Sequence, residues 1–388
     1  MSVEVEIAIV GAGVVGCAIA RELAQPGREI FVIEQNSGVT RGENQSSRNS
    51  GVIHAGLYYD RTTRPLKARL CAAGNALIYQ FCEQYGVPHR QTGKLVVAVD
   101  DDEKAVLEIY RSRAVENGVP VQMVTEGRVA DLEPCVRATA ALLLPTSGII
   151  DPTALVRKLN VLAADNGAQF LTETKVTDIK ARPDGLEVKI EYPDGARDTF
   201  LTGLLINAAG LHADDVARML QPAASYRTDP VRSETMKFYR TRRDELMLRG
   251  MNIYPAPRQF TTPEGTYFSV GVHLTPTLST DSTGASAIGA EVTVGPLSRP
   301  ARHRQEYGGA YQPTEVFFKE VQSFFPGLQP EDLMPHQTGI QARLAGHQDW
   351  VIAFSDGDRR CLNLLGIDSP GLTGSLAIAQ YVGTMLGL

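Results

Sequence analysis

The first 34 residues constrain the fold more than any other part of the sequence. An apolar run at residues 5–10 is followed by the glycine turn Gly11-Ala-Gly13-Val-Val-Gly16, then by a helical pattern and a second apolar run that ends in Glu34. The order strand, glycine turn, helix, strand and acid is the fingerprint of a βαβ unit that binds a dinucleotide. The sequence therefore predicts a nucleotide site at its N-terminus.

Each residue of this fingerprint has a mechanical role. Gly11 permits the tight turn, Gly13 lets the backbone approach a pyrophosphate, and Gly16 lets the helix pack closely against the strand. The helix N-terminus offers free N–H groups and a partial positive charge to the phosphates. The carboxylate of Glu34 can accept hydrogen bonds from both ribose hydroxyls and would repel a 2′-phosphate, so NADP fits poorly.

Three later segments favour FAD over NAD. Residues 45–56 are polar and punctuated by glycine, and residues 204–210 form a strand that ends in Asn-Ala-Ala-Gly before a predicted helix. Residues 363–375 place glycines and a proline before an apolar C-terminal helix. A helix N-terminus there would stabilise negative charge on the N1–C2=O side of a reduced flavin, whereas NAD needs no such distant site.

Composition excludes several classes of protein. The chain has 388 residues and a net charge of -6, which predicts two or three domains and argues against a nucleic-acid partner. Its five cysteines are scattered without a CxxC pair, so neither a disulfide framework nor a metal site is expected. No apolar stretch reaches the roughly 18 residues that span a bilayer. We expect a cytoplasmic protein, with peripheral attachment to the inner membrane left open.

Local patterns predict further elements. Residues 93–99 have the pattern of a strand and residues 103–117 that of an amphipathic helix. Asp151 followed by proline predicts the N-cap of a helix that continues to about residue 166. Residues 277–293 are rich in Ser, Thr, Gly and Ala and are interpreted as an enlarged loop.

Several of these segments resemble one enzyme family. SSRNSGVIHAGLYY at residues 46–59, LLINAAGLHADDVAR at 204–218 and GIDSPGLTGSLAI at 366–378 are similar to the L-2-hydroxyglutarate dehydrogenase/oxidase family. That family belongs to the D-amino-acid-oxidase superfamily of flavoproteins. The resemblance implies FAD-dependent oxidation of the C–OH of an L-2-hydroxy acid to a 2-oxo acid. Electrons would leave through a quinone, an electron-transfer protein or oxygen.

The resemblance also implies the architecture. We expect an α/β protein (α+β overall) with a Rossmann-like FAD-binding domain of the glutathione-reductase type and a discontinuous, sheet-rich substrate domain. The FAD-binding domain would comprise residues 1–85, 150–225 and 335–388, and the substrate domain residues 86–149 and 226–334. Residues 232–238 and 277–293 depart from the expected pattern, which leaves the exact substrate open.

The fingerprint and the resemblance together give a set of cofactor-binding candidates. The backbone of Val176 is expected to contact the adenine, and the other candidates are expected to line the pyrophosphate, ribose and flavin. The full set is Gly11, Gly13, Gly16, Glu34, Ser46, Ser47, Arg48, Asn49, Val176, Ala209, Gly210, Gly366, Gly371, Leu372 and Thr373.

Oxidation of an alcohol requires a base for the hydroxyl proton, and imidazole is suited to this near neutral pH. His54 is the first candidate because it lies in the segment expected to approach the flavin, and His273 is the second. Two alternatives remain for His54: a core histidine with satisfied hydrogen bonds, or a covalent link to the flavin.

The anionic ends of the substrate need cationic or multi-donor partners. Arg343 is the predicted carboxylate clamp and Lys94 a second cation, and Arg232 is also considered. Tyr58 and Tyr254 could donate hydroxyl hydrogen bonds, as could Tyr59. Two other functions remain open: an amine or amino-acid oxidase of the glycine- or sarcosine-oxidase kind, and a non-enzymatic redox sensor.

Overall fold

The computed structural model describes residues 3–42, 44–262 and 265–388. The strands of this part of the chain are β1 (Val3–Val10), β2 (Ile30–Ile33), β3 (Val52–Ile53), β4 (His89–Arg90), β5 (Lys94–Ala98), β6 (Gln122–Thr125), β7 (Ala140–Leu144), β8 (Gly148–Ile150), β9 (Ala168–Leu171), β10 (Lys175–Arg182), β11 (Gly185–Glu191), β12 (Arg197–Asn207), β13 (Thr228–Tyr239), β14 (Asn252–Pro255), β15 (Arg258–Thr262), β16 (Gly265–Ser269), β17 (His273–Thr280), β18 (Ser286–Pro300), β19 (Met334–Leu344), β20 (Val351–Ser355) and β21 (Asp358–Leu365). The α-helices are α1 (Val14–Leu23), α2 (Pro65–Tyr85), α3 (Asp101–Glu116), α4 (Glu126–Leu132), α5 (Pro152–Asp165), α6 (Ala213–Leu220), α7 (Thr314–Val321) and α8 (Gly371–Leu386).

The first sheet is built around the N-terminal βαβ unit. Its strands run in the order β10-β11-β12-β1-β2-β9, with β21 also paired to β12 and β20 paired to β21. The central pairs, β12 with β1, β1 with β2, β2 with β9 and β12 with β21, are parallel. Parallel strands are buried on both faces, and here α1, α5, α8 and α2 share one core with β1 and β2.

Two helices cross closely in this core, and a glycine permits it. A Cβ on Gly74 of α2 would lie 2.3 Å from the carbonyl oxygen of Thr373 and 2.8 Å from the Cα of Gly374, both in α8. No side chain fits into such a contact. The first turn of α8 is therefore held directly against α2.

The second sheet has the order β19-β13-β18-β17-β14-β5-β7-β6 and is antiparallel except for the pair β14 and β5. Because successive side chains of a strand point to opposite faces, the two faces differ in character. Leu95, Ile253 and Leu274 pack into one hydrophobic core on the first face. Their neighbours Lys94 and Tyr254 lie on the other face, which we call the polar face.

One predicted loop is instead a β-hairpin. Residues 277–293 belong to β17 and β18, which pair across Leu278 and Ile288 and are joined by a tight turn at residues 281–285. In that turn the carboxylate of Asp281 accepts hydrogen bonds from the backbone N–H groups of Thr283 and Ala285. The interpretation as a loop was wrong because Ser and Thr were counted as loop residues, whereas the β-branched Thr suits a strand.

The predicted division into domains stays a prediction, and two of its boundaries cut strands. The boundary between residues 149 and 150 divides β8, and that between residues 334 and 335 divides β19. Residues 334–344 form β19, which is hydrogen-bonded to β13 in the second sheet along its length. The prediction assigned residues 335–388 to the FAD-binding domain. A sequence pattern can predict a strand but not the strand with which it pairs. The prediction therefore grouped β19 with the segment that follows it in the chain.

Candidate active site

The glycine turn and Glu34 form one hydrogen-bonded unit. Glu34 is buried at the end of β2, and its carboxylate accepts hydrogen bonds from the backbone N–H of Ala12 (2.8 Å) and of Asn36 (2.8 Å). Each carboxylate oxygen can accept more than one hydrogen bond, so capacity remains for ribose hydroxyls. A Cβ on Gly16 would lie 1.9 Å from the carbonyl oxygen of Gly11, which explains why this position is glycine.

The N-terminus of α1 is suited to an anion. Its first turn carries no acidic side chain, and the hydroxyl of Ser46 accepts a hydrogen bond from the N–H of Val14 at 2.9 Å. A Cβ on Gly13 would lie 3.4 Å from that hydroxyl oxygen, so Ser46 borders the glycine turn. The unpaired N–H groups of a helix start and its dipole attract phosphate.

The segments from the middle and the end of the chain meet this turn. The carbonyl oxygen of Ala208, which follows β12, would lie 2.6 Å from a Cβ on Gly11. Asn207 donates a hydrogen bond to the side chain of Asn363 in β21 at 2.8 Å. Asn207 and Asn363 therefore join the carboxyl ends of two parallel strands, the edge at which open α/β sheets bind ligands.

The remaining cofactor candidates lie around this edge. A short 3₁₀ helix spans Ser46 to Arg48 and ends at Asn49, so it contains or borders all four candidates of this segment. Arg48 donates a hydrogen bond to the carbonyl of Thr338 in β19 at 3.2 Å. The other candidates lie in the turns after β12 and β21, in the first turn of α8 and in β10. They are Ala209, Gly210, Gly366, Gly371, Leu372, Thr373 and Val176.

His54 is fixed through its backbone from two helices. Its N–H donates to the hydroxyl of Thr373 in α8 at 3.0 Å, and its carbonyl accepts from the amide of Asn75 in α2 at 3.0 Å. The imidazole Nε2 lies 3.5 Å from the hydroxyl of the exposed Ser369. The imidazole Nδ1 is buried, and none of the described residues forms a hydrogen bond with it.

The electrostatic surroundings keep His54 neutral. Burial lowers its pKa well below 6.5, and the positive charge of the nearby Lys94 lowers the pKa further. A neutral imidazole has an acceptor nitrogen, which a proton-abstracting base needs.

His273 lies on the polar face and is also neutral. Its Nδ1 is 3.0 Å from the carbonyl oxygen of Gly271, and since a carbonyl only accepts, Nδ1 carries the proton. Nε2 is then the acceptor nitrogen. The ring stacks on Tyr254 with centroids 3.7 Å apart, and burial lowers the pKa of His273 to about 3.

Lys94 is the least usual group of the site. It is 2% exposed, and its Nζ lies 3.7 Å from the ring centroid of Tyr254 and 5.6 Å from that of Tyr58. Among the described residues no carboxylate forms an ion pair with it, and burial lowers its pKa to about 7. The buried hydroxyl of Tyr58 has no hydrogen-bond partner either. One narrow crevice is lined by His54, Tyr58, Tyr59 and Lys94.

The two arginines considered for the substrate differ sharply. Arg343 is half exposed, and its Nε lies 3.9 Å from the carboxylate of Asp368, the nearest anion that the described part of the chain offers it. Arg232 is fully buried, pairs with Glu234 at 2.7 Å and donates to the carbonyls of Glu306 and Gly308. The suggestion that Arg232 binds a substrate carboxylate is therefore not supported, because Glu234 already neutralises its charge.

Comparison with known proteins decides the family. A family model described as FAD dependent oxidoreductase matches residues 6–385. This chain belongs to the FAD-dependent oxidoreductases. Three predictions are thereby confirmed: FAD as the cofactor, the oxidoreductase class, and a Rossmann-like fold with a second, sheet-rich region.

Individual relatives agree with the family. The chain is 31% identical to a protein of Arabidopsis thaliana named L-2-hydroxyglutarate dehydrogenase, mitochondrial, over 97% of this chain and 82% of the relative. It is 29% identical to a protein of the same name from Caenorhabditis elegans, over 97% and 92% of the two chains. A solved structure of L-α-glycerophosphate oxidase from Mycoplasma pneumoniae, with FAD bound, has a TM-score of 0.83 at 24% identity and covers 99% of this chain and 95% of its own.

The residues of this oxidoreductase fit FAD at several places. The acid-free start of α1, the buried Glu34 and the glycine turn suit a dinucleotide, and the first turn of α8, also without acidic residues, lies beside His54. Sequence reasoning missed Asn75 and Ser369, which hold or contact His54. Ser369 lies within a family-matching segment, but nothing in the sequence shows that it reaches His54.

Two kinds of feature are absent from the described residues. No group of three or more His, Cys, Asp or Glu side chains in these ranges is arranged to hold a metal ion. None of the described helices is long and apolar enough to cross a membrane.

Proposed function

We propose that this FAD-dependent oxidoreductase oxidises L-2-hydroxyglutarate, or a close L-2-hydroxy-acid analogue, to the 2-oxo acid. The substrate is suggested by the names of the relatives from Arabidopsis and Caenorhabditis, which match nearly the whole chain. The observation that carries the proposal is His54, a buried neutral imidazole close enough to Lys94 for that charge to lower its pKa. Its Nδ1 has no hydrogen-bond partner among the described residues.

His54 is the proposed base for the hydroxyl proton. Its lowered pKa keeps the acceptor form populated at neutral pH, and its backbone contacts with Thr373 and Asn75 fix the position of the ring. When bound, FAD supplies the hydride acceptor at flavin N5. When Nδ1 takes up the hydroxyl proton, the proton on Nε2 can pass to the hydroxyl of Ser369, 3.5 Å away, and from this exposed residue to solvent.

Arg343 and Lys94 are the proposed partners of the substrate carboxylates. Among the described residues, Arg343 has no anion within hydrogen-bond distance and the buried Lys94 has no counter-ion, so each would gain by meeting a carboxylate. Tyr58, with an unpartnered hydroxyl, and Tyr254, beside Lys94, are proposed to line the same space.

His273 is proposed as the second imidazole of the site. With Nδ1–H donated to Gly271, its Nε2 can only accept a hydrogen bond while the ring is neutral. It would therefore orient the substrate hydroxyl, or replace His54 as the base if the hydroxyl lies closer to it.

The electron acceptor and the cellular location are proposed more broadly. A quinone, an electron-transfer protein or oxygen would take the electrons from the reduced enzyme. We propose a cytoplasmic location, with peripheral attachment to the inner membrane open. The relatives are named mitochondrial, which describes those proteins.

Anaerobic reduction of the bound flavin tests the substrate. L-2-hydroxyglutarate is expected to bleach the flavin absorbance, whereas D-2-hydroxyglutarate is not. Glycerol 3-phosphate, glycine, sarcosine and proline are tested beside them. Bleaching by an amine or by glycerol 3-phosphate, but not by any hydroxy acid, would refute the proposed substrate class.

His54→Ala tests the base. The variant is expected to keep FAD and to lose turnover by about a hundredfold or more, the scale of a lost general base. The control is His303→Ala, since His303 is an exposed histidine in the segment after β18 and is not a candidate for the site. Loss of FAD from His54→Ala would instead indicate that His54 holds the cofactor.

A further inference from the structure

Three charged side chains form a cluster beside the proposed substrate site. The ammonium of Lys67 in α2 lies 2.8 Å from Oδ1 of Asp368, in the turn before α8. Oδ2 of the same carboxylate lies 3.9 Å from Nε of Arg343 in β19. We call Lys67, Asp368 and Arg343 the charge cluster. Asp368 directly precedes Ser369, the residue that contacts His54, so the cluster borders the site.

The two contacts of Asp368 are unequal. Oδ1 is held by Lys67 and by the indole N–H of Trp350 at 3.2 Å, whereas Oδ2 only faces Arg343 beyond hydrogen-bond distance. The side chains of Lys67 and Asp368 are 11% and 10% exposed, but that of Arg343 is 54% exposed. Arg343 is therefore the member that can turn away.

Lys67 is itself held in place. Its backbone N–H and that of Leu66 donate to the carboxylate of Asp349, at 3.0 and 2.7 Å, so Asp349 caps the first turn of α2. The start of α2 thus presents Lys67 to Asp368 in a fixed position.

From these contacts we infer that Lys67 is a positioning residue: by neutralising Asp368, it keeps Arg343 available for the substrate carboxylate. A nearly buried carboxylate needs a charged partner. If Lys67 were absent, Arg343 would be the nearest cation and would move 1 Å or so to pair with Asp368. The substrate would then have to compete with Asp368 for Arg343. This inference rests on the proposed role of Arg343.

The test compares Lys67→Met with the double variant Lys67→Met/Asp368→Asn in the FAD-loaded enzyme. KM for the hydroxy acid is measured, together with the dissociation constant of glutarate, an unreactive dicarboxylate, from its perturbation of the flavin spectrum. K67M is expected to raise both about tenfold, the scale of one charge-assisted hydrogen bond. The double variant is expected to return both to within about threefold of wild type, because no carboxylate then competes for Arg343.

Control variants separate this role from a structural one. Lys180→Met removes a half-exposed lysine that pairs with Asp178 in β10 and is expected to leave both constants unchanged. Should K67M not retain FAD, Lys67→Gln takes its place with the same expected rise. A merely structural Lys67 would leave the double variant as weak as the single one, or weaker.

Three outcomes would overturn the inference. Unchanged constants in K67M would show that Lys67 does not control Arg343, and failure of the double variant to recover would show that Asp368 is not the competitor. The third comes from Arg343→Gln, measured in parallel. If this variant binds glutarate as wild type does, the proposed clamp itself is wrong, and the failure is then distinguished from failure of the inference alone.

Discussion

Replacement of the buried Lys94 by methionine is expected to make the folded protein more stable. Lys94 is 2% exposed, and burial lowers its pKa from 10.5 to about 7. At 1.36 kcal/mol for each pH unit, this difference of about 3.5 corresponds to roughly 5 kcal/mol of cost for carrying the charge in the folded state. The nearby face of Tyr254 already offsets part of the desolvation. Methionine fills a similar volume without a charge, so we expect a gain of about 2–5 kcal/mol at pH 6.5.

The pH dependence of this gain has a definite sign. Between pH 7 and 10.5 the unfolded chain holds the Lys94 proton while the folded protein has released it, so the wild type loses stability as the pH falls through this range. Below about pH 7 both states are protonated and the full cost remains. The advantage of Lys94→Met is therefore largest at pH 6.5 and below, and should shrink to about 1 kcal/mol by pH 9.5.

Urea unfolding at pH 6.5 and 9.5 with saturating FAD measures both effects. Fluorescence of Trp350, the only tryptophan and a buried one, reports unfolding. Lys180→Met, at a half-exposed position, should stay within about 0.5 kcal/mol of wild type at both pH values. A K94M variant that is less stable than wild type at pH 6.5, or whose gain does not fall with pH, would refute the reasoning. The same variant should bind glutarate more weakly, which would identify Lys94 as a group kept for function at the expense of stability.

Three further predictions concern the base, the glycine turn and the buried ion pair. Because the pKa of His54 is well below 6.5, kcat of the wild type should show no His54-dependent loss from pH 7 upward and should fall only in more acidic solution, which a pH–rate profile checks. Gly16→Ala should abolish FAD retention, since its Cβ would lie 1.9 Å from the carbonyl of Gly11; a variant purified with stoichiometric flavin would contradict this. Arg232→Met should destabilise the protein by about 3–5 kcal/mol in urea unfolding by leaving Glu234 buried and unpaired, whereas R232M with Glu234→Met should recover most of the loss.

Much of the fold could be predicted from short-range sequence patterns. The N-terminal strand, glycine turn and second strand could be predicted because their signals lie within about 30 consecutive residues. The cap at Asp151 was equally local, and its carboxylate accepts hydrogen bonds from the N–H groups of Thr153 and Ala154 as expected. Where the signal was only compositional, as in the hairpin of β17 and β18, the prediction was wrong.

The amino-acid sequence by itself determined the nucleotide-binding unit, the preference for FAD and the family, since each depends on motifs that are recognisable within short segments of the chain. Only the tertiary structure decided which side chains meet across long separations. It brings Thr373 to His54, pairs Arg232 with Glu234 and places Lys67 and Arg343 on either side of Asp368. It also buries Lys94 where no carboxylate of the described residues pairs with it. The physical reason is that a charge acts through the groups around it in space, and a strand or helix pattern does not specify which distant segment will pack against it.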